Sequence, residues 1–169
     1  MGIPNVNVSP VDLSNRWLAG ARTDGNGNYS IIIRAGTYKL RFNIDPWDPR
    51  YYAPEWYDDK SYFDVANTIT VTSGETTTIN VVLAEGGKIA GRVTNPVGDG
   101  VGNVNVNAQD SNNNWINGTR TDSNGYYAIP LAVGAYKVQF HPQDPWDGGN
   151  YATEWHDNKS NRDDATLVN

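Results

Sequence analysis

Between Asp45 and Phe63 the chain crowds Trp47, Tyr51, Tyr52, Trp56, Tyr57, Tyr62 and Phe63 among several aspartates, and Trp146, Tyr151 and Trp155 stand in a second stretch of the same kind. Flat aromatic faces beside carboxylates and amides suit a sugar ring, whose apolar C–H face stacks on the aromatic while its hydroxyls find acceptors. On that reading the carbohydrate-binding candidates are Trp47, Tyr52, Trp56, Tyr57, Trp146, Tyr151 and Trp155. The same side chains would also serve to pack a long loop onto a sheet, with indole N–H and phenol O–H satisfied at its margin. Exposure separates the two: packing residues are buried, whereas sugar-stacking residues form an open platform.

Other reactive groups are less well placed. Asp45, Asp48, Asp58, Asp59 and Asp64, with Asp144, Asp147, Asp157, Asp163 and Asp164, could offer oxygen ligands to calcium. The stretch Asp24-Gly25-Asn26-Gly27-Asn28 is too short for an EF-hand loop and lacks its closing Glu. Asp and Asn in turns more often bond their own backbone, so no metal ligand set is assigned. Glu55 and Glu154 hold equivalent places in two separate copies of one sequence, which gives no reason for them to face a single substrate as an acid–base pair. His141 and His156 are the only histidines and are not equivalent, and no G-x-S-x-G context is present for a serine nucleophile. The expectation is a protein with no catalytic residues and no cofactor.

The elements that must position these groups are read from a duplication. Asn5–Ala66 and Asn103–Ala165 repeat one cassette: Trp17 matches Trp115, Asp24 matches Asp122, Tyr38 matches Tyr136 and Phe42 matches Phe140, then Trp56 matches Trp155 and Lys60 matches Lys159 after one inserted residue. Self-similarity of this length means two copies of one folding unit. We place the domains at 1–85 and 86–169, joined at Ala84–Gly87. Alternation puts Val6 and Val8, and Val104 and Val106, on inward faces of short strands. Trp17–Thr23 and Trp115–Thr121 read as further strands, each followed by an Asp/Asn/Gly turn suited to positive φ, then by return strands Tyr29–Ile33 and Tyr126–Ile129. Tyr38, Leu40 and Phe42 alternate with Lys39 and Arg41, which predicts a half-buried strand with one wet face. Thr68–Thr72, Thr77–Leu83 and Lys88–Thr94 complete the set, and the sole helix-like signal is a short turn near Glu55–Lys60. The fold class is all-β, two tandem β-sandwiches.

Composition bounds the partners. A formal charge of −6 disfavours nucleic acid and anionic membrane surfaces, which attract basic patches. There is no cysteine, hence no disulfide or thiolate site. No apolar run approaches a membrane span, and no signal-peptide pattern opens the chain. Four N-x-S/T sequons, at Asn7, Asn28, Asn117 and Asn158, would matter only in an exported chain in a glycosylating host.

The stretches GKIAGRVTNPVGDGVGNVNVNAQD, RTDSNGYYAIPLAVGAYKVQF and ITVTSGETTTINVVL resemble the carboxypeptidase regulatory-like domain, a transthyretin-like (prealbumin-like, Ig-like Greek-key) sandwich. The resemblance extends over nearly the whole chain, and the ending YYAPEWYDDKSYFDVA resembles the variety found in tandem arrays on bacterial secreted and surface proteins. It implies a spacer, adhesion or binding module with no catalytic residues to carry over, located outside the cell or on its surface. Lys88 and Asn80 resemble the isopeptide-forming residues of collagen-adhesin B-type modules, but they belong to different copies and no Glu stands in the Tyr38–Phe42 strand, so no internal isopeptide bond is expected. Against the family pattern, copy one lacks the opening strand equivalent to Lys88–Thr94, and copy two stops where the counterpart of Ile69–Leu83 begins. The chain is thus either a stretch cut out of register with the natural repeat or a unit whose bare strand edges pair with another chain. The expected function is a non-enzymatic structural repeat, spacer or head-to-tail fibre unit, with a carbohydrate-binding or adhesion module as the alternative.

Overall fold

The computed structural model describes residues 1–142 and 151–169. Among them there is no helix, and the chain divides into two compact units, Met1–Glu85 and Gly86–Asn169. The fold is all-β, as the alternation predicts.

Unit 1 holds β1 (Asn7–Asp12), β2 (Ala21–Arg22), β3 (Gly36–Asn43), β4 (Glu55–Trp56) and β5 (Ile69–Val71) in one antiparallel sheet ordered β2-β1-β3-β4, with β5 also on β3. The long pairing is β1 on β3, from Asn7 opposite Asn43 to Asp12 opposite Tyr38. The strand expected over Trp17–Thr23 shrinks to two residues. Pro10 of β1 points its carbonyl towards this neighbour, accepting from Leu18 N at 3.0 Å, and has no N–H to return, so the ladder breaks beside it.

Unit 2 holds β6 (Gly87–Arg92), β7 (Val104–Gln109), β8 (Trp115–Arg120), β9 (Tyr126–Leu131), β10 (Lys137–Pro142) and β11 (Glu154–Trp155). Here a four-stranded sheet, β11-β10-β7-β8, is joined by a second sheet of β6 and β9. Ala108 stands where unit 1 has Pro10, and β8 accordingly runs its full six residues along β7.

The cores follow the period-two pattern. In unit 1 Val6, Val8, Leu40, Phe42 and Leu83 are buried together, with Tyr29, Ile31, Ile79 and Val81 packed against them. In unit 2 Val104, Val106, Ala108, Ile129 and Val138 are buried, and Tyr127 meets Phe140 edge-on at 5.7 Å, as Tyr29 meets Phe42 at 6.1 Å. Each such fully buried aliphatic side chain contributes about 1.5–3 kcal/mol.

Two expected strands of unit 1 form no ladder. Tyr29–Ile33 and Thr77–Leu83 keep the alternation, with Tyr29, Ile31, Ile33, Ile79, Val81 and Leu83 turned inward and Ser30, Ile32, Asn80 and Val82 outward, yet neither segment is hydrogen-bonded as a strand. In unit 2 the counterpart of the first, β9, is a strand because β6 lies along it from Gly87 opposite Leu131 to Arg92 opposite Tyr126. Unit 1 has no counterpart of β6. Alternation directs the side chains, but a β-strand also needs a neighbour's backbone.

Candidate functional site

The aromatic loop of unit 1 is positioned by β4. Trp56 pairs with Arg41 and Glu55 with Phe42, which lays the loop back over the outer face of the sheet. The residues after Trp56 turn sharply: Trp56 N–H donates to Lys60 C=O at 2.8 Å and Lys60 N–H returns at 3.1 Å, with Asp58 and Asp59 both at positive φ. Asp and Asn tolerate this conformation best after glycine, and Asp157 and Asn158 repeat it in unit 2. The helix-like turn expected at Glu55–Lys60 is therefore a tiny hairpin.

That loop makes a second core. Val11, Trp56 and Ala66 are buried together with Phe63 against them, and Trp56 meets Phe63 edge-on at 5.4 Å and Trp17 at 5.9 Å. The outer face of β3, expected to be wet, is covered. Arg41 is only 4% exposed, its guanidinium 5.7 Å from the Trp17 ring and 5.8 Å from the Trp56 ring. Burial pulls its pKa down to about 10, so it stays cationic at neutral pH and the stacking with the two indoles is a cation–π arrangement. Lys39 Nζ donates to the carbonyls of Phe63 at 2.6 Å and Asp64 at 3.4 Å, and Lys137 does the same in unit 2 to Arg162 at 2.6 Å and Asp163 at 3.2 Å. These lysines clamp the returning loop to the sheet.

The sugar-platform candidates separate accordingly. Trp56 is 2% exposed and Trp155 6%, so neither presents a face to a ligand, and both leave the candidate set because the sheet beneath them takes their aromatic surface. Tyr52 and Tyr57 are half-buried against the Val8–Phe42 core. Trp47 is 61% exposed on a turn closed by its own N–H to the Asp45 carboxylate, and the neighbouring Tyr51 is 59% exposed. Tyr151, 40% exposed, lines an open pocket of about 640 Å³ in unit 2 with Asn95, Asn103 and Arg120. Trp146, Asp144 and Asp147 lie outside the described residues.

The acidic groups act mainly on their own backbone. The Asp24 carboxylate accepts from the N–H groups of Asn26 and Asn28, and Asp122 accepts from those of Asn124 and Tyr126. The bond from Asn28 N–H is the chief reason that the Asp24 carboxyl lies below its ordinary range. Asp12, bonded by Arg16 N–H and Ser14 N–H, is lowered in the same way. Among the described residues no three His, Asp or Glu side chains gather as a metal site. His141 Nδ1 lies 2.6 Å from Thr153 Oγ1.

Glu55 and Glu154, equivalent in sequence, differ in surroundings. Glu55 is 9% exposed, and desolvation, helped by the Asp59 charge, pushes its pKa up to about 7, whereas Glu154 is exposed. A carboxyl poised near neutrality is a common feature of catalytic sites, but this one is buried and lines neither the unit 1 groove nor the unit 2 pocket.

Sequence reasoning missed the roles of five residues that the structure makes central: Arg41, the clamp lysines Lys39 and Lys137, and Thr23 with Thr121. Each threonine hydroxyl is a staple, accepting from Val6 N–H or Val104 N–H at 2.9 Å and donating to Ile3 C=O at 2.6 Å or Val101 C=O at 2.8 Å. The recurrence of Thr-Asp at 23–24 and 121–122, and of Lys at 39 and 137, was the available signal.

Residues 88–152 match the family model of the carboxypeptidase regulatory-like domain, a non-catalytic family. No curated protein matches the chain. Among solved structures it is similar to the Bacillus anthracis TIE protein, with 15% identity and a TM-score of 0.36; the match takes in 95% of this chain and 29% of that one.

Proposed function

We propose that the chain is a non-catalytic structural repeat of a secreted or cell-surface protein, a spacer whose units join through strand addition at open edges. The observation that carries this is the use made of its repeated polar and aromatic residues: Thr23/Thr121, Asp24/Asp122, Lys39/Lys137 and Trp56/Trp155 all close turns, staple strands or hold the loop to the sheet. What recurs is scaffold. The match of residues 88–152 to a non-catalytic domain family supports the same reading.

A second reading, glycan binding, rests on the exposure of Trp47, Tyr51 and Tyr151, the last beside amide and guanidinium groups. Screening the whole chain on an immobilised glycan array tests the choice. The structural reading expects no saturable binding. Micromolar binding that Trp47→Ala or Tyr151→Ala abolishes would replace it with the second.

A further inference from the structure

Unit 1 carries a groove of about 470 Å³ whose two walls are the segments that form no ladder. Tyr29, Ile31 and Ile33 stand on one side and Thr77 and Ile79 on the other, while Leu40 and Ile69 also line it. No backbone hydrogen bond from the N–H groups of 29–33 or 76–83 is formed within the unit among the described residues. Two segments whose backbone N–H groups lack backbone partners thus border a slot lined by both apolar and polar side chains, bridged where Tyr29 Oη donates to Ile79 C=O at 3.0 Å, and an unpaired edge is a template for another strand.

Unit 2 shows what fills the equivalent place. β6 lies along β9 in antiparallel register, Ile89 opposite Ile129 and Gly91 opposite Tyr127. Gly91 leaves room for the facing ring: a Cβ on it would meet Tyr127 Oη at 2.9 Å and the ring at 3.1 Å, so the tyrosine would have to shift. At the strand's end Val93 N–H donates to Gly125 C=O at 2.9 Å, and Arg92 Nε donates to Asn124 C=O at 2.9 Å. Unit 1 preserves the receiving features as Ile31, Tyr29, Gly27 and Asn26, and Gly27 and Tyr29 line the groove. A Cβ on Gly125 would meet Val93 C=O at 2.2 Å; on Gly27 it meets no such strand, only the unit's own Gly2 and Ile3 backbone.

From this we infer that the unit 1 groove is an acceptor for one extended peptide strand of the β6 type, G-K-I-A-G-R-V-T. The strand enters antiparallel to 29–33 with its isoleucine opposite Ile31, its second glycine opposite Tyr29 and its arginine at the Asn26 carbonyl. Main-chain bonds supply attachment, and the glycine under the tyrosine ring supplies selectivity, the division of labour usual in strand addition. The inference rests on the reading of the chain as a structural repeat and names the partner that such a repeat would take.

The test uses the whole chain and a fluorescently labelled synthetic peptide of sequence GKIAGRVT. Anisotropy should show saturable binding, and hydrogen exchange should slow at the amides of 29–33 and 77–81. A peptide carrying the Gly91→Val change should bind at least tenfold more weakly; because the change is in the peptide, it cannot unfold the acceptor. A scrambled peptide binding equally well, no saturable binding at millimolar peptide, or protection appearing elsewhere would overturn the assignment. Glycan binding on the array, by contrast, would count against the structural reading and leave the groove result standing.

Discussion

Glu55 and Glu154 form a paired experiment within one chain. Burial pushes the Glu55 pKa up to about 7 from 4.5, with Asp59 adding like charge. Between those two pH values the native state holds a proton that the unfolded state has released. Stability therefore falls as pH rises through the window, and the cost of ionising Glu55 is absent below pH 4.5 and complete above 7. At about 1.4 kcal/mol per pH unit the gap corresponds to roughly 3.5 kcal/mol, an upper bound because part of the carboxylate's hydration survives. Glu55→Gln should remove the dependence, raising the stability of unit 1 at pH 8 by about 1–3 kcal/mol and leaving it nearly unchanged at pH 4.5. Glu154→Gln, at an exposed site, should change unit 2 by less than about 0.5 kcal/mol at either pH. Urea unfolding at the two pH values, read by hydrogen exchange of the β3 and β10 amides so that each unit reports separately, measures both. A Glu55→Gln protein with the wild-type pH slope, or an equal gain from Glu154→Gln, would refute the desolvation argument.

The scaffold residues carry further expectations. Trp56→Ala should destabilise unit 1 by about 3–5 kcal/mol, whereas Trp47→Ala, at a 61% exposed position, should stay within about 0.5 kcal/mol; denaturant midpoints of the two variants compare them directly. Thr23→Val and Thr121→Val would each strand a buried N–H and a carbonyl and should cost about 1–3 kcal/mol, seen as matched losses in melting temperature. Lys39→Met and Lys137→Met keep the apolar stem but release the loop, so each should lose about 1–2 kcal/mol and speed amide exchange at Ala66 and Ala165, whose N–H groups bond Phe63 and Arg162. Below pH 4 the carboxylates of Asp24 and Asp12, held low by backbone N–H groups, should lose their contribution as they protonate, so stability turns down again on the acid side of the Glu55 window.

Much of this protein is written in local pattern. The period-two runs through Val6–Val8, Tyr38–Phe42 and Val104–Val106 determined the all-β class and the inward faces, because side-chain direction along an extended chain depends only on position. The Asp-Gly-Asn-Gly turn was legible for the same reason, since Asp24 bonds N–H groups two and four residues away. Tertiary structure decided the rest. Tyr29–Ile33 and Tyr127–Leu131 are equivalent segments of the repeat, yet only the second is a strand, because β6 supplies its ladder hydrogen bonds from some 40 residues away. Arg41 reads as a solvent-facing charge and Trp56 as a ligand platform until the 44–66 loop folds back and covers both. Glu55 and Glu154 stand at equivalent places yet part company, chiefly because Glu55 is buried and Glu154 exposed, which long-range packing decides; the lesser contribution, the Asp59 charge, was legible in the sequence, since the second copy has Asn158 there.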